Sequence, residues 1–398
     1  MDAQTLAHGL SDSSRKQPPT SLYVHIPFCA SRCYYCDFTT SVAQKAIEPY
    51  VADLDAEFAL VAAEEPTPSL QTVFFGGGTP TLLTARQLDT MLSNLHKRFR
   101  IAAGAEITME ANPGTIDAEK LAVLRAAGVN RLSFGAQTFN DRLLMAIGRS
   151  HDESAIVESV RAAQAAGFER INVDLMFGLP EQSLADVSES LAKLLALDVG
   201  HVSAYWLKVE QGTPFAVWHK RGQLPLPGED LEADMYDLVR ETMVKHGFLH
   251  YEVSNFARLG HEALHNLVYW HNEPYLAAGV GAHGYVDGIR YENVKGIKNY
   301  HELLQRGIRP YALQRLVATT ESCEDTMMLG LRLREGVSRE RFLRRHGRPL
   351  EEVFGTLIHQ LEKRGLLQWD GDYVRVTDIA WPVANLVYEE FVATELLD

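Results

Sequence analysis

Positive charge is in short supply: 38 Lys and Arg stand against 52 Asp and Glu, a formal net charge of −14 at pH 7. That balance argues against non-specific nucleic-acid binding, which needs cations to neutralise phosphates. Long apolar runs are missing too, since no uncharged apolar run reaches the ~18 residues of a membrane span. Residues 1–20 are polar, contain Pro18 and Pro19, and lack the apolar core of a secretory signal. They are expected to be a disordered leader, and the protein to be cytoplasmic. Cysteine is scarce as well. The chain has four, and Cys29, Cys33 and Cys36 crowd into one short segment. A disulfide framework would spread them out, so clustered thiols in a reducing compartment point to a metal or redox site.

What is present is ordinary globular composition, 46% hydrophobic and 23% charged over 398 residues. At about 150 residues per domain, this suggests two or three domains, or one barrel with an appendage. Short β-rich runs at 21–26, 71–75, 105–110, 130–134, 170–176 and 201–207 alternate with amphipathic segments such as 154–166. Thr84-Ala-Arg-Gln and Ser183-Leu-Ala-Asp read as capped helix starts. Six βα units in series predict an α/β fold with a parallel sheet and right-handed crossovers. Six is fewer than the eight of a closed barrel, so a partial (βα)6 barrel is expected over 21–250. A connecting region is expected over 251–310, where the Gly-, Tyr- and His-rich part 251–291 reads as strands and loops. Residues 311–398 are expected to form a helical, winged-helix-like domain. Its marks are the apolar stripe Leu350, Val353, Phe354, Leu357, Ile358 and Leu361, and a hairpin turning on Asp370-Gly371. Arg341, Arg344, Arg345 and Arg348 suggest DNA contacts on their own. The acidic chain and the Glu351-Glu352 that follows assign them instead a structural or interaction role. Cys323 is expected as a small buried hydrophobe.

Cys29-x3-Cys33-x2-Cys36 directly follows the first strand. Three thiolates on one loop can hold three irons of a cubane [4Fe–4S] cluster and leave the fourth open to a ligand. The alternative is a zinc site completed by His25. Gly76-Gly77-Gly78-Thr79-Pro80 follows the second strand, and its glycines let a backbone approach a ligand without interference from Cβ atoms. Glu110, Gln137 and Asp174 lie at the ends of later strands. Singly, each reads as a capping or solvated residue. Together they matter, because the C-terminal ends of barrel strands converge on the ligand site.

The cysteine motif, with aromatic Tyr35 before its last member, resembles that of the radical S-adenosylmethionine (SAM) enzymes. Tyr23-Val-His-Ile-Pro-Phe-Cys29, Gly76-Gly-Gly-Thr-Pro-Thr81, Phe134-Gly-Ala-Gln-Thr-Phe-Asn140 and Asp174-Leu-Met-Phe-Gly-Leu-Pro180 narrow the resemblance. They are similar to the branch containing oxygen-independent coproporphyrinogen III oxidase and the HemW-type heme chaperones. The resemblance covers nearly the whole chain from Ser21. It implies that SAM chelates the unique iron through its amino and carboxylate groups. It also implies that Tyr23, Gly77, Gly78, Thr79, Glu110, Gln137, Arg149 and Asp174 contact SAM.

Within the branch, oxidase-like members carry a further cysteine two residues after the third, where this chain has Phe38. The 28 residues before Cys29 are too few for the oxidases' N-terminal segment. His265-Asn266-Leu-Val-Tyr269-Trp270 resembles the heme-binding motif of HemW-type proteins, which implies His265 as heme ligand under apolar cover from Tyr269 and Trp270. Without the resemblance, a His beside Tyr-Trp is more often a packed histidine, and His261, His271 and His283 compete for the role. The expected function is a heme chaperone that binds a [4Fe–4S] cluster, SAM and heme. Its expected partners are heme-accepting proteins, respiratory ones among them, with no nucleic acid and any membrane contact peripheral. The competing expectation is the oxidase, in which a 5′-deoxyadenosyl radical takes hydrogen from substrate propionates.

Overall fold

Six parallel strands follow one another across the sheet in chain order: β1 (Ser21–Ile26), β2 (Leu70–Gly77), β3 (Ile101–Ala111), β4 (Arg131–Gln137), β5 (Arg170–Phe177) and β6 (His201–Trp206). The computed structural model that shows them describes residues 18–64 and 69–392, so the leader expected at 1–20 lies outside the described residues as far as position 17. Each strand coincides with a β-rich run in the sequence, β3 starting at 101 rather than 105. Both expected helix starts are capping boxes, Thr84 with Gln87 and Ser183 with Asp186.

Alternation along the strands separates two environments. Leu22, Val24 and Ile26 of β1 point outward and are fully buried with Leu54 and Phe58 of the helix Ile47–Glu64. Each such side chain contributes about 1.5–3 kcal/mol by leaving water. The opposite, inner face is polar. Register pairs Thr72 with Glu106, Glu110 with Ser133, Ser133 with Asn172, and Asn172 with His201, so these side chains form bands across the lumen. Buried polar groups must be partnered, and here they partner one another. Asn172 donates to Ser133 Oγ at 2.7 Å and meets His201 Nδ1 at 2.6 Å.

The sheet extends beyond the six expected strands. β8 (Asn255–Ala257) adds antiparallel to β6, β7 (Leu249–Glu252) adds antiparallel to β8, and β9 (Leu276–Ala278) adds parallel to β1, giving nine strands in the order β7-β8-β6-β5-β4-β3-β2-β1-β9. The stretch 251–291 also contains a helix, Leu264–Trp270, where strands and loops were expected. Its N-cap, Ala263, offers no side-chain bond. The cap comes instead from Glu106 of β3, whose carboxylate accepts from the N–H groups of Leu264 (3.1 Å) and His265 (3.0 Å). An anion at a helix start is favourable, but this one is supplied from far away in the chain, so no local signal announces the helix.

β10 (His283–Val286), β11 (Ile289–Asn293) and β12 (Tyr311–Leu316) form a separate antiparallel sheet; β12 occupies residues expected to be helical. The helices Thr319–Gly330, Arg339–His346 and Leu350–Lys363 follow, with β13 (Val337–Ser338), β14 (Leu367–Asp370) and β15 (Tyr373–Val376) in the order β13-β15-β14. Asp370 pairs with Tyr373, so the hairpin turns on Gly371-Asp372, one residue later than expected. Leu350, Phe354, Ile358 and Leu361 bury the predicted stripe in a second core, which includes Cys323.

Candidate functional site

The cysteine loop is closed by its own backbone. Cys29 N–H donates to Ser41 O at 3.0 Å, and Ser41 N–H donates back to Pro27 O at 2.6 Å. Tyr34 packs edge-on against Trp218 (5.1 Å between rings), and Phe215 N–H donates to Tyr34 O, anchoring the far side of the loop. Cys29, Cys33 and Cys36 are all partly exposed, whereas Cys323 is buried far along the chain. Burial raises the Cys29 thiol and pushes Cys36 up to about 11. Both are therefore neutral without a cation and would ionise on binding iron. Two donors reach the sulfurs: Thr79 O–H to Cys29 Sγ (3.8 Å) and an Arg149 N–H to Cys33 Sγ (3.6 Å).

His25 does not complete a zinc site. Its Nε2–H donates to Thr39 O (2.8 Å), which leaves Nδ1 to accept from Tyr23 O–H (2.9 Å), so neither nitrogen is free. Among the described residues no group of three or more His, Cys, Asp or Glu is placed to hold a single metal ion. Three thiols on one loop, two of them met by donors and none sharing a histidine, fit a multi-iron cluster better than a mononuclear site.

The glycine run begins at the end of β2, beside this loop. Gly77 N–H donates to Glu110 Oε2 at 3.1 Å. A Cβ on Gly77 (φ +111°) would lie 2.3 Å from the His25 ring, and one on Gly78 would lie 2.7 Å from Phe28 O. The turn therefore requires glycine. Asn112, which sequence reading passed over, links the parts. Its Nδ2–H donates to Thr79 Oγ1 (2.8 Å) and its Oδ1 accepts from Arg149 (2.7 Å). The only sequence signal for Asn112 is its place just past β3, in Glu110-Ala-Asn-Pro. Arg149 also donates to Gly135 O of β4 at 2.5 Å. Gln137 ends β4 with φ +69°, a left-handed conformation uncommon outside glycine and often found at functional sites.

Glu110 and Asp174 are both half-buried and point into the barrel. Burial first, then the neighbouring Asp174 charge, pushes Glu110 up to about 8; burial also raises Asp174, against the hydrogen bond from Asn172 (2.6 Å). A ligand bringing positive charge to this rim would draw both back to the carboxylate form. The expected contacts Gly77, Gly78, Thr79, Glu110, Gln137, Arg149 and Asp174 thus belong to one end of the barrel, with the thiols above them. Tyr23 stands lower, stacked on Phe74 (6.2 Å).

His265 is elsewhere. It is fully buried in the lumen at the level of Thr72, stacked on Phe74 at 5.3 Å. Nδ1 is 2.8 Å from Thr72 Oγ1 and Nε2 is 2.8 Å from Tyr269 O–H, so one nitrogen donates and the other accepts. Burial, aided by Arg131, lowers its pKa to about 3. In this arrangement neither nitrogen is available to an iron. Of its competitors, His271 meets Glu335 at 3.0 Å and borders a cavity, while His283 is exposed near Glu292.

Known proteins share both the architecture and the sequence. The Radical SAM superfamily model matches residues 23–194, and the HemN C-terminal domain model matches residues 317–383. A protein of Bacillus subtilis (strain 168) named heme chaperone HemW is 41% identical over 374 residues, covering 94% of this chain and 99% of that one. Its namesake in Escherichia coli (strain K12) is 34% identical over 386 residues, covering 95% and 99%. Among solved structures, coproporphyrinogen III oxidase (HemN) from Escherichia coli, described as a radical SAM enzyme, superposes with a TM-score of 0.82 at 23% identity. That match covers 95% of this chain and 91% of the other, a likeness of fold.

Proposed function

Since this chain belongs to the radical SAM superfamily and, within it, to the HemW family, we propose that it is a cytoplasmic heme chaperone that takes up heme and passes it to acceptor proteins. In this reading Cys29, Cys33 and Cys36 would hold a [4Fe–4S] cluster, which would supply an open iron for SAM and one-electron chemistry. Tyr23, Gly77, Gly78, Thr79, Glu110, Gln137, Arg149 and Asp174 form the SAM cup. The glycine run brings backbone against the ligand, and Glu110 and Asp174 offer it negative charge. Arg149 orients Cys33 while bracing Asn112 and β4. His265 enters heme ligation only by leaving Thr72 and Tyr269. The proposed domain division is a barrel over 21–250, a connecting region over 251–310 and a C-terminal domain over 311–398.

One observation supports the rim most directly. The relay Thr79–Asn112–Arg149 ends on Cys29 at one side and Cys33 at the other, binding the glycine turn and the cysteine loop into one unit. Acceptors include respiratory proteins, met at a membrane surface rather than within it: among the described residues no helix is long and apolar enough to cross one. The test is a single preparation, reconstituted anaerobically, assayed for heme binding, heme transfer to an apo-acceptor and coproporphyrinogen decarboxylation. Heme uptake and transfer without decarboxylation is the expected result. Turnover of coproporphyrinogen would overturn the chaperone in favour of the oxidase.

A further inference from the structure

A cavity of about 590 Å³ lies between the segment that follows the helix Leu264–Trp270 and the C-terminal helices. It is separate from the SAM cup, and its volume falls within the roughly 300–1,000 Å³ of small-molecule sites. Trp270, Tyr285, Leu316 and Phe342 give it broad apolar and aromatic walls. Arg341 and, one turn further along the helix Arg339–His346, the adjacent Arg344 and Arg345 also line it. Glu273 and Asp287 line the cavity too, from outside the C-terminal helices, so its cationic groups come from the helix Arg339–His346.

These arginines have slack partners. Arg341 reaches Glu335 only at 3.7 Å, and Arg344 reaches Glu340 at 3.7 Å on the outer surface. Arg345 donates to Tyr285 O–H at 3.2 Å and lies over its ring, but its buried Nε has no hydrogen-bond partner among the described residues. The indole N–H of Trp270 is likewise buried and unpartnered among them. In a chain of net charge −14, three guanidiniums against an aromatic-walled cavity are fitted to a ligand that is flat, apolar and multiply carboxylated. Guanidinium groups bind carboxylates in paired, charge-assisted hydrogen bonds.

We infer that this cavity is the heme-docking site: it takes a tetrapyrrole through its propionates, at Arg341, Arg344 and Arg345, with Trp270 against the macrocycle. The inference rests on the chaperone reading and adds the location and the recognition chemistry. It also gives the motif His265-Asn-Leu-Val-Tyr269-Trp270 two divided duties: the imidazole faces the lumen, and the indole at the helix's other end faces the ligand. Recognition through carboxylates means that metal-free protoporphyrin IX binds much as heme does and its dimethyl ester binds poorly.

The test titrates hemin, protoporphyrin IX and the dimethyl ester into full-length protein, following absorbance and tryptophan quenching, with thermal melts and SAM affinity as controls. The variants are R341E/R345E, R345K, and Leu316→Trp, which fills the cavity without touching its charge. Expected are a roughly tenfold or greater loss of hemin and protoporphyrin affinity in R341E/R345E and Leu316→Trp, a smaller loss in R345K, which keeps the charge but not the paired hydrogen bonds, and unchanged SAM affinity throughout. If R341E/R345E melts early, Leu316→Trp decides. Wild-type hemin affinity in a normally folded Leu316→Trp protein would overturn the location while leaving the chaperone reading intact. A wild-type protein that takes up no hemin would overturn both.

Discussion

Replacing His265 with Ala separates a structural role from a ligand role, because the two predict opposite signatures. The imidazole fills lumen space against Phe74 and satisfies the hydroxyls of Thr72 and Tyr269. Truncation leaves a cavity, worth about 2–5 kcal/mol for large-to-small core changes. It also strands two hydroxyls, each at about 1–3 kcal/mol if water cannot reach it. Partial relaxation keeps the sum near about 4 kcal/mol at neutral pH. A pH signature accompanies the loss. The folded protein holds His265 neutral down to about pH 3, from an ordinary value of 6.5. Below 6.5 the unfolded chain binds a proton that the folded chain refuses, so this residue's contribution is complete above 6.5 and is lost as pH falls towards 3. At about pH 5 the protonation penalty amounts to roughly 2 kcal/mol, at about 1.4 kcal/mol per pH unit. The stability gap between wild type and His265→Ala should therefore narrow from about 4 kcal/mol near pH 7.5 to about 2 near pH 5. Other buried histidines act equally in both proteins and cancel. Urea unfolding at the two pH values measures the gap, with hemin titration alongside. A variant as stable as wild type, with a constant gap and a lost heme spectrum, would refute the reasoning and make His265 the iron ligand.

Other changes address the rim. Cys29→Ala, Cys33→Ala or Cys36→Ala should each abolish stable iron and sulfide loading, whereas Cys323→Ala, in the second core, should load fully; elemental analysis of the four variants checks this. Gly77→Val drives a branched side chain into the His25 ring and into a left-handed backbone, so calorimetry should show SAM affinity at least about tenfold weaker while the cluster's absorbance persists. Asn112→Ala cuts the relay between Thr79 and Arg149 without removing a cluster ligand. It should weaken SAM binding and alter the cluster's electron paramagnetic resonance signal, and unchanged values for both would dismiss the relay as incidental. Asp174→Asn keeps the shape but removes charge that a cationic ligand would exploit; SAM affinity should fall several-fold, and the deficit should shrink as pH falls, because burial raises the carboxyl's pKa.

Legibility followed locality. Strands β1 to β6 and the helices Ala85–Arg98 and Leu184–Ala196 announce themselves through alternation and capping boxes, which are short-range properties. The cysteine spacing and the glycine run are equally local. Asn112 was missed because its meaning lies in Thr79 and Arg149, contributed by other segments of the chain. The helix Leu264–Trp270 was missed because its cap, Glu106, belongs to β3. The turn at Gly371-Asp372 shows the same limit on a smaller scale: the register is set by β15 against β13 and β14, and the hairpin's own residues leave a one-position ambiguity. His265 is the sharpest instance. Its neighbours in sequence suggest a porphyrin, while its neighbours in space are Thr72, Phe74 and Glu106.

The helix capped by Glu106 is also held from a second strand. Arg170 of β5 grips the same carboxylate at 3.0 Å and holds Glu262 O at 2.7 Å, so β3 and β5 together fix the start of the helix. His265 thereby faces the lumen at the level of Thr72, while Trp270, at the other end of the same helix, lines the outer cavity. In the proposed reading, cargo lodged beyond Trp270 would lie apart from SAM at the cysteine-loop end of the barrel, and one protein molecule could hold both at once.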